Sequence, residues 1–407
     1  MGLVKAAWFE AEERGWDAPD KVVCYCCVQD EYLRQLIVDN AHHKRCDYCG
    51  RLSKKAIAAP VEVLMAPIAH ALYSHFADPA SAGLPRDDGE WVGSEAITYT
   101  LEALDSLPLN GHKDLVDDVT GAFSNDAWYP CANGYWLDDH KHVQLGSAWE
   151  GFVHAVKTKT RYFFQLPAAV EDEFEHQRPL SPLELLKWIG DAASDFGLVS
   201  SIAAGTTVFR VRLCGVGVEF ASLEEVGPPP TGLAGAGRMN PPGISYLYTA
   251  LDSQTALAEV LPRPPCRAAI ASLRLRTEVR VLDLTALPAI PSIFEEVRAE
   301  KRQVLLFLNR FIHAITQPVL RDGREHIDYV PSQVVSEYFS QVHRFDGHCL
   351  AGIIYRSAVF NGGKNAVLFP PNQKDAHWTD LVELQSVQHC DYRRWRDLTR
   401  AIRDTKL

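Results

Sequence analysis

The sequence predicts an α+β protein of two domains: a cysteine-knuckle and helical domain over residues 1–200, then a mixed α/β domain over 201–395. At 407 residues the chain is too long for one small domain. Half of its ten cysteines crowd into the first fifty residues. The apolar pattern then changes near Gly205, from helical spacing to the alternation of strands.

The composition, 47% hydrophobic and 23% charged, is that of a folded globular chain and excludes wholesale disorder. No run approaches the roughly 18 apolar residues of a membrane-crossing helix. The first ten residues run straight into acidic ones, without the basic start and apolar core of an export signal. A cytoplasmic protein with no membrane partner is expected. The net charge of −11 disfavours nucleic acid, because non-specific binding to it needs a surplus of Lys and Arg.

Cys24-Tyr-Cys-Cys27 and Cys46-Asp-Tyr-Cys49 are two C-x-x-C knuckles with eighteen residues between them. Two-residue spacing turns both sulfurs of a knuckle onto one cation, and two knuckles close a tetrahedral four-thiolate site. A structural zinc held by Cys24, Cys27, Cys46 and Cys49, in a zinc-ribbon, is expected. Cys26 breaks the spacing, and His42 and His43 find the four positions already filled.

Beyond the knuckles, residues 60–77 are apolar at helical spacing with Pro67 inside, and 94–106, 113–124 and 147–160 also read as helices. Ser181-Pro-Leu-Glu184 is a capping box with proline at the first helical position, and the helix it opens ends near Gly197. A short linker is expected at 197–205. Thr206–Leu213 then alternates as a strand, and strand patterns recur at 244–249, 268–274, 278–283, 351–355 and 365–369. Helical patterns intervene at 253–260, 292–317 and 331–343.

One loop, Gly232-Leu-Ala-Gly-Ala-Gly-Arg-Met-Asn-Pro-Pro-Gly243, lets backbone approach a ligand closely and carries an arginine suited to phosphate. Its glycines do not follow the dinucleotide fingerprint G-x-G-x-x-G. Taken singly, Arg210 reads as a strand cation, Glu259 as a solvated helix residue and Ser357 as a turn residue. Together with Phe209-Arg210, Gly237–Gly243, Tyr246-Leu-Tyr248, Ala258-Glu259-Val260, Tyr329-Val-Pro-Ser-Gln333, Gly352–Ser357 and Asn365–Phe369, they make residues 206–370 resemble the RES domain. The N-terminal half is similar to the accessory domain found before RES domains and associated with HEPN-type modules. No Arg-x(4–6)-His nuclease motif stands in the first 200 residues, and Arg321–His326 has that spacing only inside the RES-like stretch.

The resemblance implies a fold like that of ADP-ribosyltransferases and the activity of a toxin that destroys NAD, with phosphate or water as acceptor. It implies Arg210, Glu259 and Ser357 as catalytic residues, and Arg238, Asn240 and Tyr248 as NAD-binding ones. It also leaves room for an antitoxin or regulatory partner and for self-association. Transfer of ADP-ribose to a macromolecule, and a zinc-bearing binding module with an inactive RES half, are the competing expectations. The chemistry suits the residue types. Cleaving the nicotinamide–ribose bond develops an oxocarbenium-like centre that a carboxylate stabilises. A unit charge about 4 Å away, at an effective dielectric of about 20, contributes about 4 kcal/mol, roughly a thousandfold in rate.

Overall fold

A computed structural model describes residues 10–132, 134–161, 180–215, 217–260, 263–319, 322–371 and 377–404. Arg321 lies outside the described residues. The chain divides into two compact units, residues 1–144 with 289–306, and residues 145–288 with 307–407. Among the described residues no helix is long and apolar enough to cross a membrane.

In the first unit, β1 (Val22–Cys24) pairs antiparallel with β2 (Ala58–Pro60), which joins the two ends of the cysteine segment. Asp30 caps the helix Glu31–Asp39 by accepting from the Leu33 N–H at 3.0 Å, and the helix buries Leu33 and Ile37, four residues apart. The helix Glu62–His75 takes Pro67 within it and buries Leu64, Met65, Ile68 and Leu72. The helix expected over 94–106 begins only at Thr100, because β6 (Thr98–Tyr99) pairs with β7 (Ala127–Pro130). There Trp128 donates its indole N–H to Thr100 Oγ1 at 2.9 Å. The remaining strands are β3 (Phe76–Ala77), paired with β7, and the hairpin β4 (Arg86–Asp87) with β5 (Glu90–Trp91).

The second unit is built on one eight-stranded sheet. Its strands are β8 (Val199–Ile202), β9 (Thr207–Cys214), β10 (Leu247–Ala250), β11 (Cys266–Leu275), β12 (Val279–Asp283), β13 (Gly352–Arg356), β14 (Lys364–Leu368) and β15 (Val382–Tyr392). They lie in the order β15-β11-β9-β10-β14-β13-β12-β8. All neighbours are antiparallel except β12 and β13. Side chains alternate between two apolar clusters, as the period of two requires. Val208, Leu247, Ala271 and Leu273 enter one, and Val211, Ala250, Ala268 and Ile270 the other.

The capping box at Ser181 forms with both reciprocal bonds, and its helix runs Pro182–Asp195. Gly197 follows at φ +68, the left-handed position that ends many helices. The segment expected as a linker is strand β8, which pairs its backbone with Val279–Leu282 at the edge of the sheet. The boundary expected at residue 200 therefore falls inside a strand of the second unit. The longest strand, β15, has no expected counterpart. Its side chains are fully buried only at Val382 and Tyr392, so it lacks a strong alternation, and the ladder to β11 holds it. The strand expected at 244–249 starts at Leu247, because Ile244 and Ser245 bond the preceding loop instead.

Candidate active-site cleft and cysteine site

A cleft of about 270 Å³ opens in the second unit, with Phe209, Arg210, Tyr248, Glu259, Tyr355 and Asn365 in its wall. Strands β9 and β10 share a single ladder pair, Ala250 with Phe209, and the cleft lies where their pairing stops. Arg210 spans that gap by donating from Nη1 to the Tyr248 carbonyl at 2.9 Å. Its Nε is buried with no partner among the described residues. Burial, reinforced by the like charge of Arg212, lowers Arg210 to about 10, so it stays cationic at neutral pH. A half-buried cation whose Nε is buried and unused is a place for an anion.

The glycine-rich loop is held from within by Asn240. The buried Asn240 amide donates to the carbonyls of Gly235, Pro241 and Ile244 at 2.9–3.1 Å. Its Oδ1 accepts from the Tyr248 hydroxyl at 2.8 Å, and that hydroxyl accepts from the Met239 N–H at 3.0 Å. Both polar groups are thus committed to the loop, and Tyr248 has its ring to present to the cleft. Burial raises Tyr248 to about 12, which keeps it a neutral donor. A Cβ on Gly237 would collide with Asn240 Oδ1 and the Tyr248 hydroxyl, so that position needs glycine.

Arg238 is placed from two sides. Ser332 donates to its carbonyl at 2.5 Å, and Gln333 donates to the carbonyls of Gly237 and Asn240 at 2.8 and 3.0 Å. Its guanidinium carbon lies 5.6 Å from the centroid of the buried Tyr355 ring, and Nη1 is a second buried donor without a partner among the described residues.

Glu259 closes the helix Ser253–Val260, whose start is held by Asp252 bonding the Thr255 N–H and hydroxyl at 2.7 Å each. Residues 255–258 are buried, which leaves Glu259 at the exposed end. Its Oε1 accepts from Ser357 Oγ at 2.7 Å and from Asn365 Nδ2 at 2.5 Å. Ser357 in turn accepts from the N–H groups of Val359 and Phe360 at 3.2 and 3.0 Å. Of the six expected residues, Arg210, Tyr248 and Glu259 therefore line the cleft themselves. Ser357 is joined to it by its hydrogen bond to Glu259 and Asn240 by its bond to Tyr248, and Arg238 stands over Tyr355, a wall residue. Sequence reasoning assigned nothing to Asn365. The available signal was a lone amide opening the apolar run Asn365-Ala-Val-Leu-Phe369.

In the first unit Cys24, Cys27, Cys46 and Cys49 come together, every sulfur within 4.8 Å of the others. Contacts of 3.8 Å (Cys24–Cys27), 3.6 Å (Cys24–Cys49) and 3.7 Å (Cys27–Cys46) match the edge of about 3.8 Å that metal–sulfur bonds of about 2.3 Å impose on a tetrahedron. The Cys24 N–H donates to Cys46 Sγ at 3.3 Å. Burial pushes Cys24 up to about 11 and raises Cys27 as well. At Cys49 burial acts the same way, but the Arg51 N–H and the neighbouring thiols outweigh it and bring the thiol down to about 7. Such a set ionises fully only around a cation, and its geometry fits one. Cys26 stays outside, exposed and bonded by Arg51 at 2.5 Å, and His42 bonds the Asn40 carbonyl. Among the described residues no other His, Cys, Asp or Glu cluster has metal-holding spacing.

Residues 39–170 match the family described as HEPN/RES N-terminal domain 1, and residues 208–395 match the RES domain. Comparison with curated proteins and with solved structures gives no match.

Proposed function

The chain is a RES-domain protein with a HEPN/RES N-terminal domain ahead of the RES domain, and from that premise we propose that the second unit degrades NAD by cleaving its nicotinamide–ribose bond. One observation carries the reading. Arg210, a half-buried cation with a buried, unused Nε donor, and the carboxylate of Glu259 line the same cleft. A dinucleotide needs both: a guanidinium for its diphosphate and a negative charge for the ribose centre that becomes cationic.

The glycosidic C–N bond breaks and nicotinamide leaves with the electron pair. An oxygen of phosphate or water then bonds the anomeric carbon, and a water acceptor also releases a proton. Glu259 stabilises the cationic stage from one side. Tyr248 gives the cationic ring a flat face while it is still attached. The unpartnered Nη1 of Arg238 supports phosphate as the acceptor, since it adds a second donor near Tyr355. Such an enzyme acts as a toxin or effector by draining NAD, and an antitoxin or regulatory partner would be its restraint. The ion of the cysteine site is read as zinc with a structural role, because four thiolates leave no open position for chemistry.

Incubating the purified full chain with NAD, with and without inorganic phosphate, and weighing the products tests this reading. The expected products are nicotinamide and a phosphorylated ADP-ribose, with loss of NAD accelerated by phosphate. Plain ADP-ribose at a rate indifferent to phosphate would make the enzyme a glycohydrolase. ADP-ribose attached to a macromolecule would make it a transferase, and intact NAD would refute the reading.

A further inference from the structure

We infer that Asn365 is a positioning residue that aims the Glu259 carboxylate, an inference that rests on the reading of the cleft as an NAD-cleaving site. Asn365 is 4% exposed and sits on β14 between two neighbours, opposite Tyr355 of β13 on one side and Ala250 of β10 on the other. Its backbone is thus fixed by ladders on both edges. Glu259 differs in every respect: it is exposed, at the end of a helix, with three side-chain torsions free to turn.

The two donors that reach Glu259 both take Oε1, Asn365 at 2.5 Å and Ser357 at 2.7 Å. Oε2 accepts no hydrogen bond from the described residues, so it is the oxygen available to a substrate. Ser357 lies in the turn after β13 and is itself partly exposed. Asn365 is the rigid member of the pair.

The residue type also points to this role. An amide buried beside the apolar Ala366–Leu368 of β14 is costly unless it is bonded, and its bonding partner is an exposed carboxylate 106 residues away. A stability role would be met as well by an apolar side chain, whereas aiming a carboxylate needs a donor. Aspartate, of the same size, would set a second negative charge against Glu259.

The test compares wild-type full chain with Asn365→Ala and Asn365→Asp, each also combined with Glu259→Gln, measuring kcat and KM for NAD loss. A misplaced reacting group costs up to about a hundredfold in rate. Asn365→Ala should lower kcat about ten- to a hundredfold with KM within about twofold of wild type, and Asn365→Asp should lower it at least as far. In the Glu259→Gln background the same changes should cost almost nothing further, a loss of additivity that a packing role would not produce. Crystal structures of wild type and Asn365→Asp supply a readout without activity: the Glu259 side chain should leave its wild-type place. A kcat for Asn365→Asp within about twofold of wild type, or an unmoved Glu259, overturns the inference and leaves the NAD reading standing. Wild type that consumes no NAD, with Glu259 displaced as expected, removes the NAD reading and leaves the aiming contact.

Discussion

Ser357 and Glu259 stand 98 residues apart in the chain and share a hydrogen bond of 2.7 Å at the mouth of the cleft. The serine accepts two backbone N–H groups of its own turn, so its proton is directed outward to the carboxylate. In the proposed reaction it acts on the substrate through Glu259. Ser357→Ala should lower kcat by about tenfold, since charge-assisted bonds of about 1.5–3 kcal/mol weaken where one partner is exposed. KM should hardly move, and steady-state kinetics would show it.

Glu259→Gln keeps the shape and removes the charge. Turnover should fall by about two to three decades with KM little changed, as for an interaction made mainly in the transition state. A solvated helix glutamate would instead leave the kinetics unaltered and shift stability by at most about 0.5 kcal/mol. Turnover within a few-fold of wild type would take Glu259 out of the site.

Arg210→Ala should act in a different way. It removes the donor proposed for the substrate's diphosphate and takes the Arg210 Nη1 bond from the Tyr248 carbonyl. Losing charge-assisted bonds of about 1.5–3 kcal/mol should raise KM about ten- to a hundredfold. Thermal melting should drop too, by the roughly 1–3 kcal/mol cost of the lost bond. An unchanged KM would place the anion site elsewhere.

Gly237→Ala should disturb the loop, because the new methyl meets Asn240 Oδ1 and the Tyr248 hydroxyl. Overpacking of this kind costs about 1–3 kcal/mol. Since Arg238 is the next residue, kcat/KM should fall as well. Wild-type kcat/KM in this variant would separate Arg238 from the reaction.

Metal analysis of the purified chain should find one zinc. Cys46→Ser should lose it and loosen residues 20–60, whose strands β1 and β2 bracket the site. Because the ligands must be deprotonated, the metal should also be released as pH falls. The second unit should keep its own melting transition in the variant. Protein purified without zinc would refute the assignment.

Local spacing explains what could be read from the chain itself. The x-x interval within each knuckle brings two sulfurs onto one side of a turn wherever the turn lies. The capping box at Ser181 likewise closes within four residues. The strand β9 is evident from its alternation, and Arg210, Tyr248 and Glu259 could be singled out from motifs that are short and ordered.

What remained hidden depends on partners far away in sequence. Strand β15 has few buried side chains to announce it and exists through its ladder with β11, more than a hundred residues earlier. Asn240 carries the same residue type as a ligand-binding asparagine, yet the fold turns its amide onto three carbonyls of its own loop.

The sequence by itself determined the cysteine knuckles, most of the longer helices and six strands of the large sheet, β9 to β14, because these depend on periodicity and spacing over a few residues, while Arg210 and Glu259 stood out only through the resemblance to the RES domain. Only the tertiary structure decided that Asn365 and Ser357 meet on one oxygen of Glu259. That meeting requires β14 to register against β10 and β13, and sheet register is a property of distant strands paired together rather than of any one of them.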